Sequence, residues 1–432
     1  MFIGIDDTDS PDGMCTTYLC AHLVKALGSV GRASHPMLIR LNPNVKFKTR
    51  GNAAVAFHFS GAVKEAMDIV IEEVSHLSML SCENTHPGVV FIQDELLPHI
   101  RTSPELLGFP MRAIRHLVSL DEVERLLTKH GIQSFHLKLG RGRIGALAAA
   151  ITCLVDTHLP EFTSQVLPEH TYELIAYRDR KMWGRPRVVN ASSVFRADAS
   201  SYPRTWDTVD IANRELVCVP NTRCPVLLGI RGESEDAVLE VFSKIECERA
   251  AHVMVFKTNQ GTDVHLQEGT IGHLVEGESY IVRGVVSKPP YTIRGGHVFF
   301  SIADGERELM CAAFEPTKQF RNIVRKLIAG DVVRVWGAYQ EGVLNLEKLE
   351  VVELVRAVPK NPTCPVCNRS MESAGRNKGF RCSRCHTRHP SRVWAPLERG
   401  IEKGLYEVPP CARRHLAKPL VRFEREDVHP MR

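Results

Sequence analysis

Long apolar runs are missing from this 432-residue chain. The most hydrophobic stretch, around residues 146–155, is too short to span a bilayer. No positively charged start leads into an apolar segment, so no secretory leader is expected. Internal repeats and low-complexity tracts are lacking too, which excludes solenoid and linker-type architectures. Neither sign of charge dominates: the net is +5, and the composition is that of an ordinary soluble globular protein. Thirteen cysteines without a leader argue against a disulfide scaffold and for a reducing, cytoplasmic setting. The length exceeds what one core supports, so three or four domains are expected.

What is present begins at the second residue. A short apolar strand, Phe2 to Ile5, runs straight into Asp6, Asp7 and Asp9. A turn follows at Pro11-Asp12-Gly13, then a helix with Leu19, Leu23, Val24 and Leu27 on one face. Three neighbouring carboxylates repel each other, and a hard cation relieves that repulsion. Mg²⁺ fits such oxygen ligands and is usually shared with substrate phosphates, which points to phosphoryl or nucleotidyl chemistry. Turn formation and helix capping would use the same residue types.

Charge is unevenly spread. From Arg356 onward there are 17 Lys+Arg against 7 Asp+Glu, so the C-terminal portion is expected to face a polyanion. It contains the sharpest local signal, Cys364-Pro-Val-Cys367 and Cys382-Ser-Arg-Cys385. Two such knuckles at this separation predict one tetrahedral Zn²⁺. A haem attachment at Cys382–His386 would leave the first pair unexplained.

The chain alternates strand-like and helix-like patterns over residues 1–155 and again over 156–266. The second set suits a ferredoxin-like sandwich. From about residue 279 the pattern is three strands, one helix and two strands, the order of an OB-fold barrel. Lys138-Leu-Gly140-Arg141-Gly142-Arg143-Ile144-Gly145 leads into an Ala-rich helix, where glycines let backbone approach an anion. With the second basic loop, Phe47-Lys48-Thr49-Arg50-Gly51-Asn52, it forms a candidate phosphate cradle. The loops at 220–225, 229–232 and 257–263 read as turns rather than sites.

Together these motifs resemble the archaeal isoleucine-tRNA 2-agmatinylcytidine synthetase family over essentially the whole chain. The resemblance rests on Gly4-Ile-Asp6-Asp7-Thr8-Asp9-Ser10, Gly13-Met-Cys15-Thr16-Thr17, Lys48 to Asn52, Gly140-Arg141-Gly142, Cys224 to Glu233, Thr258-Asn259, Gly295 to Phe300, Ala313 to Arg321, both knuckles and Tyr406-Glu-Val-Pro-Pro410. Arg143 departs from an expected apolar residue, and Gln260-Gly261 falls in a variable stretch. The resemblance implies a multidomain α+β protein: a kinase-like domain (1–155), a ferredoxin-like domain (156–266), an OB-fold (275–356), a zinc ribbon (360–392) and a basic tail (393–432).

It further implies a ligase that attaches agmatine to C2 of the wobble cytidine of isoleucine tRNA with a CAU anticodon. ATP is split to AMP and two phosphates, and both the cytidine O2 and Thr16 are phosphorylated. In this reading Asp6, Asp7 and Asp9 hold Mg²⁺ against ATP. Lys48, Arg50, Asn52, Gly140, Arg141, Gly142 and Gly145 cradle phosphates, and Cys364, Cys367, Cys382 and Cys385 bind Zn²⁺. Agmatine is cationic at both ends, so Asp198, Asp207, Asp210 and Asp263 are candidate partners for it. No membrane and no obligatory protein partner are expected. A Mg²⁺-dependent nuclease or phosphatase, a non-catalytic tRNA-binding protein and a lysine ligase are the competing readings.

Overall fold

Phe2–Asp6 is a strand with every residue buried, and Thr16–Ala26 is the helix that follows it. The structure, a computed structural model, describes residues 1–48 and 51–432. Apolar runs at Met37–Arg40, Ala53–Gly61 and Gly88–Ile92 supply the neighbouring strands. The sheet does not end with this unit. Its order is Gln133–His136, Gly88–Ile92, Phe2–Asp6, Ala53–Gly61, Met37–Arg40, His252–Thr258, Thr171–Tyr177, Val226–Gly232, Thr205–Trp206, with Gly31–Ala33 added beside Ala53–Gly61. The two α/β units thus share one ten-stranded sheet.

The join is a short parallel pairing, Lys257 with Met37 and Thr258 with Leu38. Asn259 extends it with its side chain. The Arg40 N–H donates to Asn259 Oδ1 at 2.8 Å, and Asn259 Nδ2 donates to the Arg40 carbonyl at 2.9 Å. Within the second unit the strands run in the order fourth, first, third, second, with Ala191–Ser201 after the first and Glu235–Ser243 after the third.

The Arg143–His158 helix crosses the first unit's sheet and buries residues 145–155. Its alanines allow close approach. A Cβ on Gly4 would lie 2.0 Å from the Ala146 carbonyl oxygen, so only glycine fits there.

The third unit is a closed barrel of five strands. Glu278–Thr292 pairs with Val298–Ala303 and with Val332–Gln340. Glu308–Ala313 pairs antiparallel with Val298–Ala303 and parallel with Val343–Glu353, which closes onto Val332–Gln340. Alternate residues such as Val282, Phe300, Ile302, Val333, Val335 and Leu349 fill the interior. The one helix of this pattern is short, Phe320–Val324, with turns on both sides.

Residues 393–432 are not a loose tail. Gly404–Glu407 pairs with Val343–Glu353 and extends the barrel sheet. The chain then lies across the second unit, with Leu405, Leu416 and Leu420 at most 1% exposed. Its basic residues are largely ion-paired within the molecule: Arg399 to Asp331, Lys418 to Glu169, Arg422 to Glu233 and Arg425 to Glu350. The polyanion-facing charge expected of the whole C-terminal portion is therefore concentrated in the ribbon. Residues 360–392 hold eight Lys+Arg against the single acid Glu372, and none of the eight makes an ion pair among the described residues. No helix is long and apolar enough to cross a membrane among the described residues.

Candidate functional site

The shared sheet, the barrel and the C-terminal segment enclose one cleft of about 680 Å³. Asp6, Asp7, Asp9, Thr16, Lys48, Asn52, Arg141, Gly142 and Gly145 all line it. Gly140 does not; its φ of +64° serves the turn before the helix, against His136. Arg50 lies outside the described residues.

Asp6 and Asp7 sit at the end of the first strand. Burial pushes the Asp6 pKa well above the usual value, and repulsion from Asp7 adds to it. Burial also raises Asp7, to about 7, although the His86 N–H donates to its Oδ2 at 3.0 Å and Arg141 lies near. Two desolvated acids in contact are what an added cation would relieve. The three carboxylates do not converge as a closed cage; among the described residues only the four cysteines do. An open set of this kind suits Mg²⁺, which completes its shell from phosphates and water.

The glycine loop meets the acids directly. A Cβ on Gly145 would lie 2.0 Å from Asp6 Oδ2, and one on Gly142 would lie 2.4 Å from the Asp6 carbonyl oxygen. These glycines make room for Asp6 rather than for an anion alone. The two loop arginines also differ. Arg141 borders the cleft with its guanidinium 5.0 Å from the Phe47 ring centroid. Arg143 is buried and bonded to the Gly140 carbonyl and, at 2.7 Å, to Glu124. It is a structural residue, which explains how this chain carries a charge at that position. Thr16, 5% exposed, accepts a hydrogen bond from the Thr8 hydroxyl at 3.1 Å, and the neighbouring Thr17 lines the cleft as well.

Sequence reasoning missed the charged floor. Arg40 Nη2 lies 3.4 Å from Glu173 Oε2, and Arg231 Nε lies 3.5 Å from Glu173 Oε1. Arg231 also donates to His415 Nδ1 at 2.6 Å. Burial, then the nearby Arg40 and Arg231, hold His415 well below its usual pKa, so it is a neutral acceptor. Gln260, fully buried, donates to Glu173. The loops at 220–225 and 229–232, read as turns, contribute Pro220, Thr222, Cys224, Gly229 and Arg231 to the cleft. Arg40 and Glu173 were detectable as charges inside apolar strands, where a partner is obligatory.

The four proposed agmatine acids are all paired. Asp198 bonds Arg432, Asp207 bonds Arg413, Asp210 bonds Asn213 and the Cys411 N–H, and Asp263 bonds Lys348. Of these only Asp207 borders the cleft.

In the ribbon, the sulfurs of Cys364, Cys367, Cys382 and Cys385 all lie within 4.8 Å of one another. Although burial opposes it, the N–H groups of Cys367 and Val366 bring the Cys364 thiol down to about 6. The hydrogen bond from Cys367 and the other sulfurs push Cys385 up to about 12. Four thiols this close cannot all ionise without a cation between them, and Zn²⁺ is the fitting one.

Fold and site define a multidomain α+β protein with a zinc ribbon and an acid-and-arginine cleft suited to phosphates. The TiaS TCKD domain model matches residues 2–139, the TiaS FLD domain model 140–265, and the TiaS C-terminal zinc ribbon domain model 361–401. The chain belongs to the TiaS family. It is 46% identical over 99% of both chains to the isoleucine-tRNA 2-agmatinylcytidine synthetase TiaS of Methanosarcina mazei, and 45% identical over the full length of both to that of Archaeoglobus fulgidus. A crystal structure of TiaS in complex with its isoleucine tRNA and ATP matches 100% of this chain and 99% of its own with a TM-score of 0.88 at 43% identity. A complex of TiaS with the same tRNA, AMPCPP and agmatine matches over the same shares with a TM-score of 0.86 at 41% identity.

Proposed function

We infer that this chain is an ATP-dependent ligase that joins agmatine to C2 of the wobble cytidine of isoleucine tRNA, the CAU-anticodon species. The observation that carries this is one cleft in which the acid cluster, the basic loop and the glycine loop converge, in a member of a family whose solved complexes hold isoleucine tRNA, ATP and agmatine.

The chemistry follows from the leaving group. The cytosine O2 leaves poorly until it carries a phosphoryl group. The agmatine amine then attacks C2: a C–N bond forms, the C–O bond breaks, phosphate departs and the amine loses a proton. Lys48 and Arg141, with Arg40 on the floor, offset the charge that develops on the transferred group. Mg²⁺ bound at Asp6, Asp7 and Asp9 would neutralise the polyphosphate. The target base must leave the anticodon stack to enter the cleft.

Finer assignments rest on topology. The first unit reads as a kinase-like module because its acids and loops gather at one end of the sheet. The fourth-first-third-second strand order supports the ferredoxin-like label for the second unit. Barrel closure with parallel pairing of the third and fifth strands supports the OB-fold label. Thr16 is read as the self-phosphorylated residue, since it opens the helix beside Asp6 and Thr8.

The deciding experiment incubates the protein with the tRNA, ATP, Mg²⁺ and agmatine, then weighs both products. The wobble cytidine gains agmatine less water, only with ATP present, and a tryptic peptide carries one phosphate on Thr16. Absence of the adduct, or an ATP-independent change in the RNA, overturns the ligase reading. Phosphate on Thr17 overturns only the threonine assignment.

A further inference from the structure

The loop between the strands Met37–Arg40 and Ala53–Gly61 carries Lys46, Phe47, Lys48 and Asn52 to the cleft. It belongs to the first unit, yet its buried asparagines reach the other units. Asn44 is 4% exposed. Its Nδ2 donates to Ser279 Oγ on the barrel at 3.0 Å, and its Oδ1 accepts from Arg414 Nη1 of the C-terminal segment at 2.8 Å. The Asn44 carbonyl accepts from Gln340 Nε2, at the end of another barrel strand, at 3.4 Å. Asn42, 1% exposed, donates from Nδ2 to the Gly277 carbonyl at 3.0 Å. Its Oδ1 accepts from the Asn44 N–H at 2.8 Å, which ties the two anchors together.

The groups that face the phosphates attach to this short segment. Lys48 Nζ donates to the Pro43 carbonyl, between the anchors. Asn52 Nδ2 donates to the Asn42 carbonyl at 3.0 Å. A buried amide with both ends bonded is held to one orientation, because turning it would leave buried polar groups unmatched. Ser279 is 1% exposed and does not border the cleft. Its hold on anything bound there therefore passes through Asn44.

We propose that Asn44 is a positioning residue for the phosphate loop: through its bond to Ser279, the barrel sets where Lys48 and Asn52 stand. The barrel is then a working part of the nucleotide site. The proposal deepens the ligase reading and rests on it for ATP as the nucleotide that this loop meets.

Calorimetric titration of the full chain with AMPCPP and Mg²⁺ tests this. Ser279→Ala leaves Asn44 Nδ2 buried without its acceptor and should weaken AMPCPP binding about fivefold or more. In turnover the KM for ATP should rise while kcat stays near that of the natural chain, whereas a loss of folded protein would lower kcat alone. Ser279→Thr keeps the hydroxyl and should restore the affinity. Ser301→Ala removes a buried hydroxyl from the neighbouring barrel strand and should leave the affinity unchanged. If Ser279→Ala melts early, Asn44→Ala replaces it with the same expectation. Unchanged AMPCPP affinity in Ser279→Ala, or equal weakening by Ser279→Thr or Ser301→Ala, overturns the proposal. Product formation on the tRNA by the natural chain tests the ligase reading separately. A chain that attaches agmatine but shows one AMPCPP affinity in every variant keeps the ligase and loses the positioning role. A chain that shows the expected affinity pattern but attaches nothing keeps the positioning role and loses the ligase.

Discussion

Asp7 shows how one residue can serve function at a cost to the fold. Its φ is +60°, a region that aspartate and asparagine tolerate better than most side chains. Its pKa rises from 3.8 to about 7 on folding, chiefly by burial. A raised carboxylate is neutral in both states below pH 4, so it has no effect there. Between the two values the folded state resists ionisation, and above pH 7 the penalty is full, up to about 4 kcal/mol. Asp7→Asn removes the charge, keeps the backbone and can still accept from the His86 N–H. In Mg²⁺-free buffer at pH 8 it should melt several degrees higher than the natural chain, a gain that vanishes at pH 4. Phosphoryl transfer should fall by orders of magnitude with tRNA affinity almost unchanged. A variant that is no more stable at pH 8, or that keeps near-normal turnover, contradicts this account. The acids were legible because they are contiguous after an apolar strand. Arg40 and Glu173 were detectable singly, but their meeting with Arg231 and His415 was not, because the four come from distant segments joined only by the fold.

Among elements, the ribbon was the most readable and the glycine loop was only half read. Knuckle spacing specifies a metal site by itself, and the four sulfurs converge as the spacing implies. The loop has the right residues for a different reason: Gly142 and Gly145 leave room for Asp6, and Arg143 turns inward to Glu124. Local composition cannot distinguish a glycine that admits a phosphate from one that admits a neighbouring strand end. The ribbon's unpaired basic residues make a quantitative expectation. Purified protein should contain about one zinc per chain by elemental analysis. Cys367→Ala should weaken tRNA binding and flatten its salt dependence, since each lost phosphate contact lowers the slope by about 0.7–0.9. ATP binding should be little altered. Equal salt slopes for variant and natural protein would remove the ribbon from the RNA contact.

At the scale of the whole molecule, acids and bases from different units are paired across the seams. Glu347, on a barrel strand, faces His265 at 3.1 Å from the second unit and Arg414 at 3.5 Å from the C-terminal segment. Burial alone would raise it, but His265, Arg414 and Lys348 outweigh burial and hold Glu347 at about 2. A depressed carboxylate contributes stability above its unfolded pKa of 4.5 and loses it as pH falls toward 2. The shift corresponds to about 3 kcal/mol. Glu347→Gln should therefore be clearly less stable than the natural chain at pH 6 in urea titrations, and the difference should shrink between pH 4.5 and 2. A pH-independent difference would mean the pair acts by packing alone. The alternation of strand and helix patterns, followed by a run of strands, was legible from periodicity. The fusion of two units into one sheet was not, because a two-residue parallel pairing and the side chain of Asn259 leave no periodic trace.

The C-terminal segment also sets an order of events during synthesis. The acids of the cleft leave the ribosome first, whereas His415 and Arg413, which complete its floor and brace Asp207, emerge some four hundred residues later. At typical elongation rates that interval is on the order of a minute. During it the cleft lacks the His415 imidazole, and Asp207, once made, lacks the guanidinium that braces it, so neither ATP nor RNA meets a finished cleft. A chain cut short before Arg413 would lack both the imidazole of the floor and the guanidinium that holds Asp207.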